Sequence, residues 1–267
     1  PRTMKSKLKY LIICFLSLSL SGQNFDYVKG FSFGDGEGDD DESQEIAFFA
    51  NGDLLVAGSY KGLIDFDPDT NAIFLSRSNT FSGEVWFARY TNQGNLIWWQ
   101  TISSERNINV YDILIDAQEN IYITGSYIQE AIFEDANNAT TLLGVSPNDA
   151  DGYLAKYTSN GNFLWAERFA GTGIDNGVAL KINPQGDLNL LGVFGDSLQF
   201  DPNQSSSLRV SAGAGDVFLA SYDTSNGQFQ WVESIAGVGF DNPRDLEIDS
   251  QGNYYILGDY TSTITFS

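Results

Sequence analysis

The feature that most constrains this chain is an internal repeat with a period of 66 or 67 residues. A glycine near the end of a short apolar run recurs at separations of 67, 67 and 66 residues, and a phenylalanine eight residues later keeps the same separations. The glycines are Gly58, Gly125, Gly192 and Gly258, and the phenylalanines are Phe66, Phe133, Phe200 and Phe266. Self-similarity at a fixed period indicates a repeat architecture, in which each unit packs against its neighbours.

Each repeat contains short apolar runs rich in Ile, Val, Phe, Tyr and Trp, separated by Asn-Gly, Gln-Gly and Gly-Asn turns. That pattern is typical of antiparallel hairpins. In the first repeat it predicts strands at about 45–50, 54–59, 85–91 and 96–103. The second strand of each unit is apolar almost without interruption, which indicates a sheet covered on both faces. A polar segment, 61–83 in the first unit, separates the second strand from the third.

Repeated four-stranded antiparallel sheets with both faces buried predict an all-β fold of the β-propeller type. We expect a repeat domain over 23–267, with units at about 41–107, 108–174 and 175–240 and an incomplete one at 241–267. The chain then holds about three complete blades and partial ones. A parallel β-helix is a weaker alternative, because its coils need shorter periods and its strands are not joined by two-residue turns.

The segment 25–32 aligns with the fourth strand of the repeat, with Tyr27 at the position of a repeated tryptophan. We expect this segment to complete a blade begun by the other end of the ring, because such closure removes an exposed sheet edge. The third strand of the fourth unit does not occur before Ser267. Further units are therefore expected beyond residue 267.

Residues 1–22 differ in composition from the rest of the chain. Four basic residues within the first nine positions precede the apolar run 10–20, and small residues follow it. This is the pattern of a cleavable secretory signal peptide. The run is shorter than the roughly 20 residues that a membrane-spanning helix needs. We therefore expect a secreted or cell-surface protein, with no membrane insertion after the signal is removed.

The side chains available restrict the possible chemistry. The chain has no His, and Cys14, within the apolar run, is its one Cys, which excludes histidine catalysis and Cys/His zinc sites. Lys and Arg number 14 against 35 Asp and Glu, for a formal charge of -21. Nucleic acid and anionic membranes are poor partners for such a surface. We expect a protein or glycan ligand, and assign no catalytic, cofactor-binding or metal-binding residue.

The repeat motifs resemble those of the secreted bacterial β-propeller repeats known as SBBP repeats. The matching segments are DSQGNYYILGDY at 249–260, DVFLASYD at 216–223 and GNFLWAERFAGTGID at 161–175. The first linker departs from the pattern, because SSERNIN at 103–109 replaces the Gly-x-Gly-x-Asp found at 171–175 and 237–241. The resemblance implies a β-propeller exported by Gram-negative bacteria, and it carries almost no information about activity.

Two groups of carboxylates are candidates for a site. The acidic run 34–42 could bind Ca²⁺ through carboxylate and carbonyl oxygens, although a solvated loop between blades is the favoured interpretation. Asp67, Glu134 and Asp201 could be imagined as the acid/base pair of a glycosidase. Their recurrence at equivalent places on successive blades favours a turn-capping role instead.

The tryptophans divide into repeated and unrepeated positions. Trp98, Trp165 and Trp231 recur inside strands, which favours packing between blades over stacking on sugar rings. Trp99 has no equivalent in the other units and is a better candidate for a ligand surface.

These observations favour an exported, non-catalytic β-propeller that serves as a binding or scaffolding module at the cell surface or outside the cell. Two alternatives stay open at this point. One is a carboxylate-dependent enzyme acting on polysaccharides, a glycosidase or lyase. The other is a calcium-stabilised adhesin, in which Ca²⁺ would be the one cofactor.

Overall fold

The fold of the described chain is all-β, as the sequence predicts. The computed structural model describes residues 13–19, 22–29, 32–33, 42–61, 63–67, 74–76, 83–135, 139–145, 147–201, 203–261 and 263–266. Among these residues the strands form antiparallel sheets, and a short 3-10 helix spans Ser205–Ser207. The predicted signal peptide lies mostly outside the described residues. No helix in the described ranges is long and apolar enough to cross a membrane.

The strands follow the sequence repeat. The N-terminal segment contains β1 (Ile13–Ser19), β2 (Gly22–Lys29) and β3 (Ser32–Phe33). Unit 1 contains β4 (Glu42–Phe48), β5 (Leu54–Tyr60), β6 (Leu63–Asp65), β7 (Phe74–Ser76), β8 (Glu84–Tyr90) and β9 (Leu96–Ser103). Unit 2 contains β10 (Ile108–Ile115), β11 (Ile121–Ile128), β12 (Glu130–Glu134), β13 (Ala139–Leu143), β14 (Ala150–Tyr157) and β15 (Phe163–Thr172). Unit 3 contains β16 (Asn176–Ile182), β17 (Leu188–Phe194), β18 (Ser197–Gln199), β19 (Leu208–Val210), β20 (Asp216–Tyr222) and β21 (Phe229–Gly237). Unit 4 contains β22 (Asn242–Ile248), β23 (Tyr254–Asp259) and β24 (Ile264–Phe266).

Each of the first three units contains four long strands that pair in chain order. In unit 1 the order is β4, β5, β8 and β9, and units 2 and 3 repeat it. The last three long strands of unit 1 lie within one residue of their predicted bounds, whereas the first begins three residues earlier than predicted and ends two residues earlier. Tight turns join the first strand to the second and the third to the fourth, and in both turns of unit 1 a glycine adopts positive φ, Gly52 at 87° and Gly94 at 85°.

The polar segment between the second and third strands is a short hairpin, which the sequence analysis did not predict. One strand of this hairpin pairs with the end of the fourth strand of the preceding unit. The paired residues occupy equivalent positions: Ser103 with Ile132, Ala170 with Gln199, and Ala236 with Thr265. Every such sheet therefore combines strands from two successive units.

The N-terminal segment shows the same connection to unit 1. Ser32 pairs with Asp65 in the register that the later units use. The strand before it, Gly22–Lys29, pairs with Ile13–Ser19. Residues 30–31 lie outside the described part of the chain, so ring closure by 25–32 stays a prediction.

The second strands of units 1 to 3 are buried on both faces, as their continuous apolar sequence predicts, whereas β23 of unit 4 leaves Tyr255 and Leu257 exposed. In β11, Ile121 and Ile123 pack into a cluster shared with unit 1, whereas Tyr122 packs into a cluster shared with unit 3. The first strands of successive units also lie beside one another, from β4 through β10 and β16 to β22. Burial of sheet faces between units is the main source of stability available to such a repeat.

The repeated glycine of the second strand has a steric reason. The first strand of each unit carries a β-bulge, which in unit 2 lies between Val110 and Asp112. Gly125 pairs with Val110 beside this bulge, and a Cβ atom at Gly125 would lie 1.9 Å from the carbonyl oxygen of Asn109. A Cβ at Gly192 would lie 2.3 Å from the equivalent carbonyl oxygen. Only glycine fits opposite the bulge without moving the backbone.

Candidate functional site at the junctions between units

The junctions between units bring together residues that are distant in sequence. At each junction, the linker that follows the fourth strand meets the start of the third strand of the same unit. In the second and third junctions this arrangement places two aspartates close together, and in the first it does not. The aspartates are Asp151 and Asp175 in the second junction, and Asp216 and Asp241 in the third.

The second junction buries its two carboxylates completely. Asp175 accepts hydrogen bonds from the backbone N–H groups of Gly171 at 2.7 Å and Gly195 at 3.2 Å. Asp151 accepts one from the N–H of Val145 at 2.9 Å through Oδ2. The backbone N–H of Gly171 also acts on the Asp151 carboxyl.

The third junction repeats the arrangement, with Asp216 at the position of Asp151. Asp216 accepts hydrogen bonds from the N–H groups of Ala212 at 2.6 Å and Gly237 at 2.8 Å. Asp241 is only 2% exposed, and its carboxyl interacts with the carboxyl of Asp216 and with the backbone N–H of Thr261. Its backbone N–H donates to the carbonyl of Gly215, which fixes the linker against the third strand.

Burial and mutual repulsion favour the neutral form of these acids. Burial raises the pKa of Asp175 to about 8, and the charge of Asp151 adds to this, against the two N–H donors that lower it. Burial also raises the pKa of Asp151 to about 6, despite the opposing effects of the Val145 N–H and the Arg168 guanidinium. The pKa of Asp241 is raised first by burial, with a contribution from Asp216. Two carboxylates in one dry site cannot both ionise without compensation.

The first junction has a different chemistry. Ile108 occupies the position of the linker aspartate, and Glu84 occupies the position of Asp151. The Glu84 carboxylate accepts a hydrogen bond of 2.5 Å from the Tyr60 hydroxyl. A cleft of about 170 Å³ opens here, lined by Ser59, Tyr60, Lys61, Gly83, Asn107, Ile108 and Asn109. Polar residues therefore predominate around a cavity at this departure from the repeat motif.

Sequence reasoning identified part of this site. The sequence shows the Gly-x-Gly-x-Asp motif at 171–175 and 237–241 and its absence at 103–109. It does not predict that each linker aspartate lies beside an aspartate at the start of the third strand. The signal was present, because both aspartates recur in units 2 and 3, but their proximity depends on how the linker folds back.

The repeated tryptophans lie between units, where the sequence analysis expected packing. The Trp98 Nε1–H donates to the carbonyl of Ser159 in unit 2 at 3.2 Å, and Trp231 packs edge-on against Tyr254 of unit 4. Trp165 lies beneath Gly227 of unit 3.

The unrepeated Trp99 stacks on Phe66, with ring centroids 5.4 Å apart and an interplanar angle of 13°. It also packs against the buried apolar cluster of unit 1. Its part in a ligand surface stays a prediction.

The structure separates the carboxylates considered from the sequence. Asp201 caps a turn, because its Oδ1 accepts the N–H of Asn203 at 2.8 Å. Asp67 follows the end of β6, and Glu134 is the last residue of β12, so the three acids stay on separate units. The acidic run 34–42 lies outside the described residues except for Glu42, which begins β4. Within the described ranges, no group of three or more His, Cys, Asp and Glu side chains is arranged to hold a metal.

Comparisons with known proteins support the repeat architecture at a coarse level. No protein family model matches the chain. An uncharacterized WD repeat-containing protein of Acanthamoeba polyphaga mimivirus is 22% identical over 220 residues, which cover 74% of this chain and 16% of that protein. The chain thus corresponds to a small part of the relative's length.

A solved structure aligns with nearly the whole of this chain. It is the extracellular domain of BT4673, assigned as a one component system of B. thetaiotaomicron, with 14% identity and a TM-score of 0.30. The match covers 98% of this chain and 39% of that one. Together with the strand order and the internal repeat, the similarity to the WD repeat-containing protein indicates a repeat-type, β-rich protein.

Proposed function

We propose that this chain is an exported, non-catalytic β-propeller that acts as a binding or scaffolding module at the cell surface or outside the cell. WD repeats form the four-stranded blades of propellers, so the similarity to a WD repeat-containing protein supports this architecture. The neighbouring positions of β4, β10, β16 and β22 support it as well, because the first strands of blades surround the propeller axis.

Two features of the sequence support export and the bacterial repeat family. The basic and apolar pattern of residues 1–22 is that of a signal peptide. The motifs at 216–223 and 249–260 resemble SBBP repeats. A measurement of the N-terminal residue of the protein recovered from the growth medium tests this, since cleavage near Gly22 is expected. Recovery of uncleaved protein from the cell interior would contradict export.

The observation that carries the binding role is the cleft of the first junction. Function in repeat scaffolds commonly resides in positions that depart from the repeat, because structural positions are shared by all units. Here the departure leaves Lys61, Asn107 and Asn109 around a cavity of about 170 Å³. Such a cavity accommodates one small polar group. The amine and amides suit hydrogen bonding to a sugar unit or to a polar side chain of a protein partner.

Binding can be tested with immobilised glycans and peptides. We expect a ligand that binds the wild-type chain to bind Lys61→Ala and Asn107→Ala at least ten-fold more weakly. Lys181→Ala is a matched control, because Lys181 lies on the first strand of unit 3 and pairs with Glu247 at 2.8 Å. Equal losses in all three variants would contradict a role for the cleft. Turnover of a polysaccharide by the wild-type chain would contradict the non-catalytic assignment and favour the enzymatic alternative.

A further inference from the structure

Strand β23 of unit 4 presents an open backbone edge. In units 1 to 3 the second strand pairs with the first strand on one side and with the third strand on the other. Among the described residues, β23 pairs with β22 alone. Its other edge therefore offers a row of N–H and C=O groups with which a further strand can pair.

Side chains at this end of unit 4 are exposed, although their equivalents in the other units are buried. Tyr255 is 59% exposed, and Leu257 and Tyr260 are each 64% exposed. The residues at the same three repeat positions are at most 2% exposed: Leu55, Ala57 and Tyr60 in unit 1, Tyr122, Thr124 and Tyr127 in unit 2, and Asn189, Leu191 and Phe194 in unit 3. The end of unit 4 thus has the composition of an interface of this repeat rather than that of ordinary surface.

The third strands of units 1 to 3 show which sequence fits such an edge. Each begins with an acidic residue, and an aromatic residue, an alanine and a tyrosine follow it at intervals of two. The segments are EVWFARY at 84–90, DGYLAKY at 151–157 and DVFLASY at 216–222. Because alternate residues of a strand point to the same face, these four positions lie on one face of each sheet.

The aromatic residue of the third strand lies opposite the repeated glycine of the second strand. The pairs are Trp86 with Gly58, Tyr153 with Gly125, and Phe218 with Gly192. The ring takes the space that a side chain would need, since a Cβ atom at Gly192 would lie 2.3 Å from the Phe218 ring. Each ring also packs on the repeated phenylalanine of its own unit, with centroids 4.9 to 5.4 Å apart. The glycine therefore fixes where the aromatic residue of the added strand must lie.

Unit 4 keeps the glycine and lacks the ring beside it. The three atoms nearest to a Cβ at Gly258 all belong to Asn242 and Pro243 of β22, the closest at 2.7 Å. In the register of the other units, an added strand would place its aromatic residue opposite Gly258. Its alanine and its tyrosine would then lie opposite Ile256 and Tyr254.

We propose that β23 is the acceptor for one extended segment with the pattern acid-x-aromatic-x-Ala-x-Tyr. The occupant is a third strand of this repeat type from a unit other than units 1 to 4, because β8, β14 and β20 already pair on both sides. The acid at its start would lie beside Tyr260, as Glu84 lies beside Tyr60. This inference rests on strand pairing and does not depend on the cleft of the first junction.

The test is titration of the chain into a fluorescently labelled peptide DVFLASY, the sequence of β20, followed by fluorescence anisotropy. We expect saturable binding of one peptide per chain. The matched control peptide exchanges the phenylalanine with the leucine that follows it. This exchange keeps the composition and moves the ring to the opposite face of the strand. The control should bind at least about ten-fold more weakly, because its ring no longer lies over Gly258.

Hydrogen exchange locates the bound peptide. We expect slower exchange of the amide hydrogens of 254–259 when the peptide is added, and no change in 188–194, where the equivalent strand already pairs on both sides. Absence of binding up to about 1 mM peptide would overturn the proposal, as would equal affinity for the two peptides or protection confined to other strands. A dimer that protects 254–259 before any peptide is added would also overturn it, since a second copy would then occupy the edge.

Discussion

Replacement of Gly125 by alanine tests the steric argument for the repeated glycine. The added Cβ would lie 1.9 Å from the Asn109 carbonyl oxygen, which belongs to the backbone and cannot rotate away. Overpacking costs about 1–3 kcal/mol, and a backbone contact places this case near 3. The smaller conformational freedom of alanine in the unfolded chain returns about 0.4–1 kcal/mol. We expect a net loss of about 2 kcal/mol in the free energy of unfolding.

Urea denaturation followed by tryptophan fluorescence measures this loss. For a chain of this size, about 2 kcal/mol corresponds to a decrease in Tm of about 4–8 °C. Gly83→Ala is the matched control, because the atom nearest to its added Cβ is the Tyr60 carbonyl oxygen at an ordinary 3.6 Å. It should change stability by less than about 0.5 kcal/mol. Equal denaturation midpoints for the two variants would refute the steric explanation.

Three further changes examine the buried ion pair of unit 1, a hydrogen bond between units 1 and 2, and the buried carboxyl of Asp175. Arg89→Ala leaves the buried Asp53 without the guanidinium that contacts it at 2.8 Å. It should lower the free energy of unfolding, measured by urea denaturation, by about 3 kcal/mol. Lys181→Ala, which breaks the more exposed pair with Glu247, should lower it by less than about 1 kcal/mol. Trp98→Phe removes one hydrogen bond to the neighbouring unit and should lower the free energy of unfolding by about 1 kcal/mol in the same assay. An unchanged denaturation midpoint would contradict this expectation. The third change concerns pH. The folded-state pKa of Asp175 is raised to about 8, so the folded protein binds more protons than the unfolded chain, and stability should fall as pH increases from about 4 to 8. Asp175→Asn should flatten the dependence of Tm on pH, and an unaltered dependence would contradict the assignment.

The long strands could be predicted from the sequence because their signals are local. Turn residues mark the ends of β5 and β8, and continuous apolar residues reveal that both faces of β5 are covered. The hairpin strands carry no comparable signal. For example, β18 has only three residues. It pairs on one side with β19, which follows it in the chain, and on the other side with β15 of the preceding unit.

The candidate site was predictable in its motifs and not in its geometry. The replacement of the linker aspartate by Ile108 can be read directly from the sequence. The cleft beside Ile108, however, depends on which side chains of unit 1 face that residue. Likewise, 24 residues separate Asp151 from Asp175, and only the return of the linker to the start of β14 brings them together. Long-range packing decides both features, and a periodic pattern contains no information about it.

The shared sheets affect how the chain unfolds. Because the hairpin of one unit supplies strands to the sheet of the preceding unit, no unit can lose its structure without breaking hydrogen bonds of its neighbour. In a linear array this raises the coupling between adjacent units relative to the stability of each unit alone, which is the condition for all-or-none unfolding. Amide hydrogens at Gln199 and Thr265 should then exchange with solvent together with those of the long strands, rather than earlier as in ordinary surface loops.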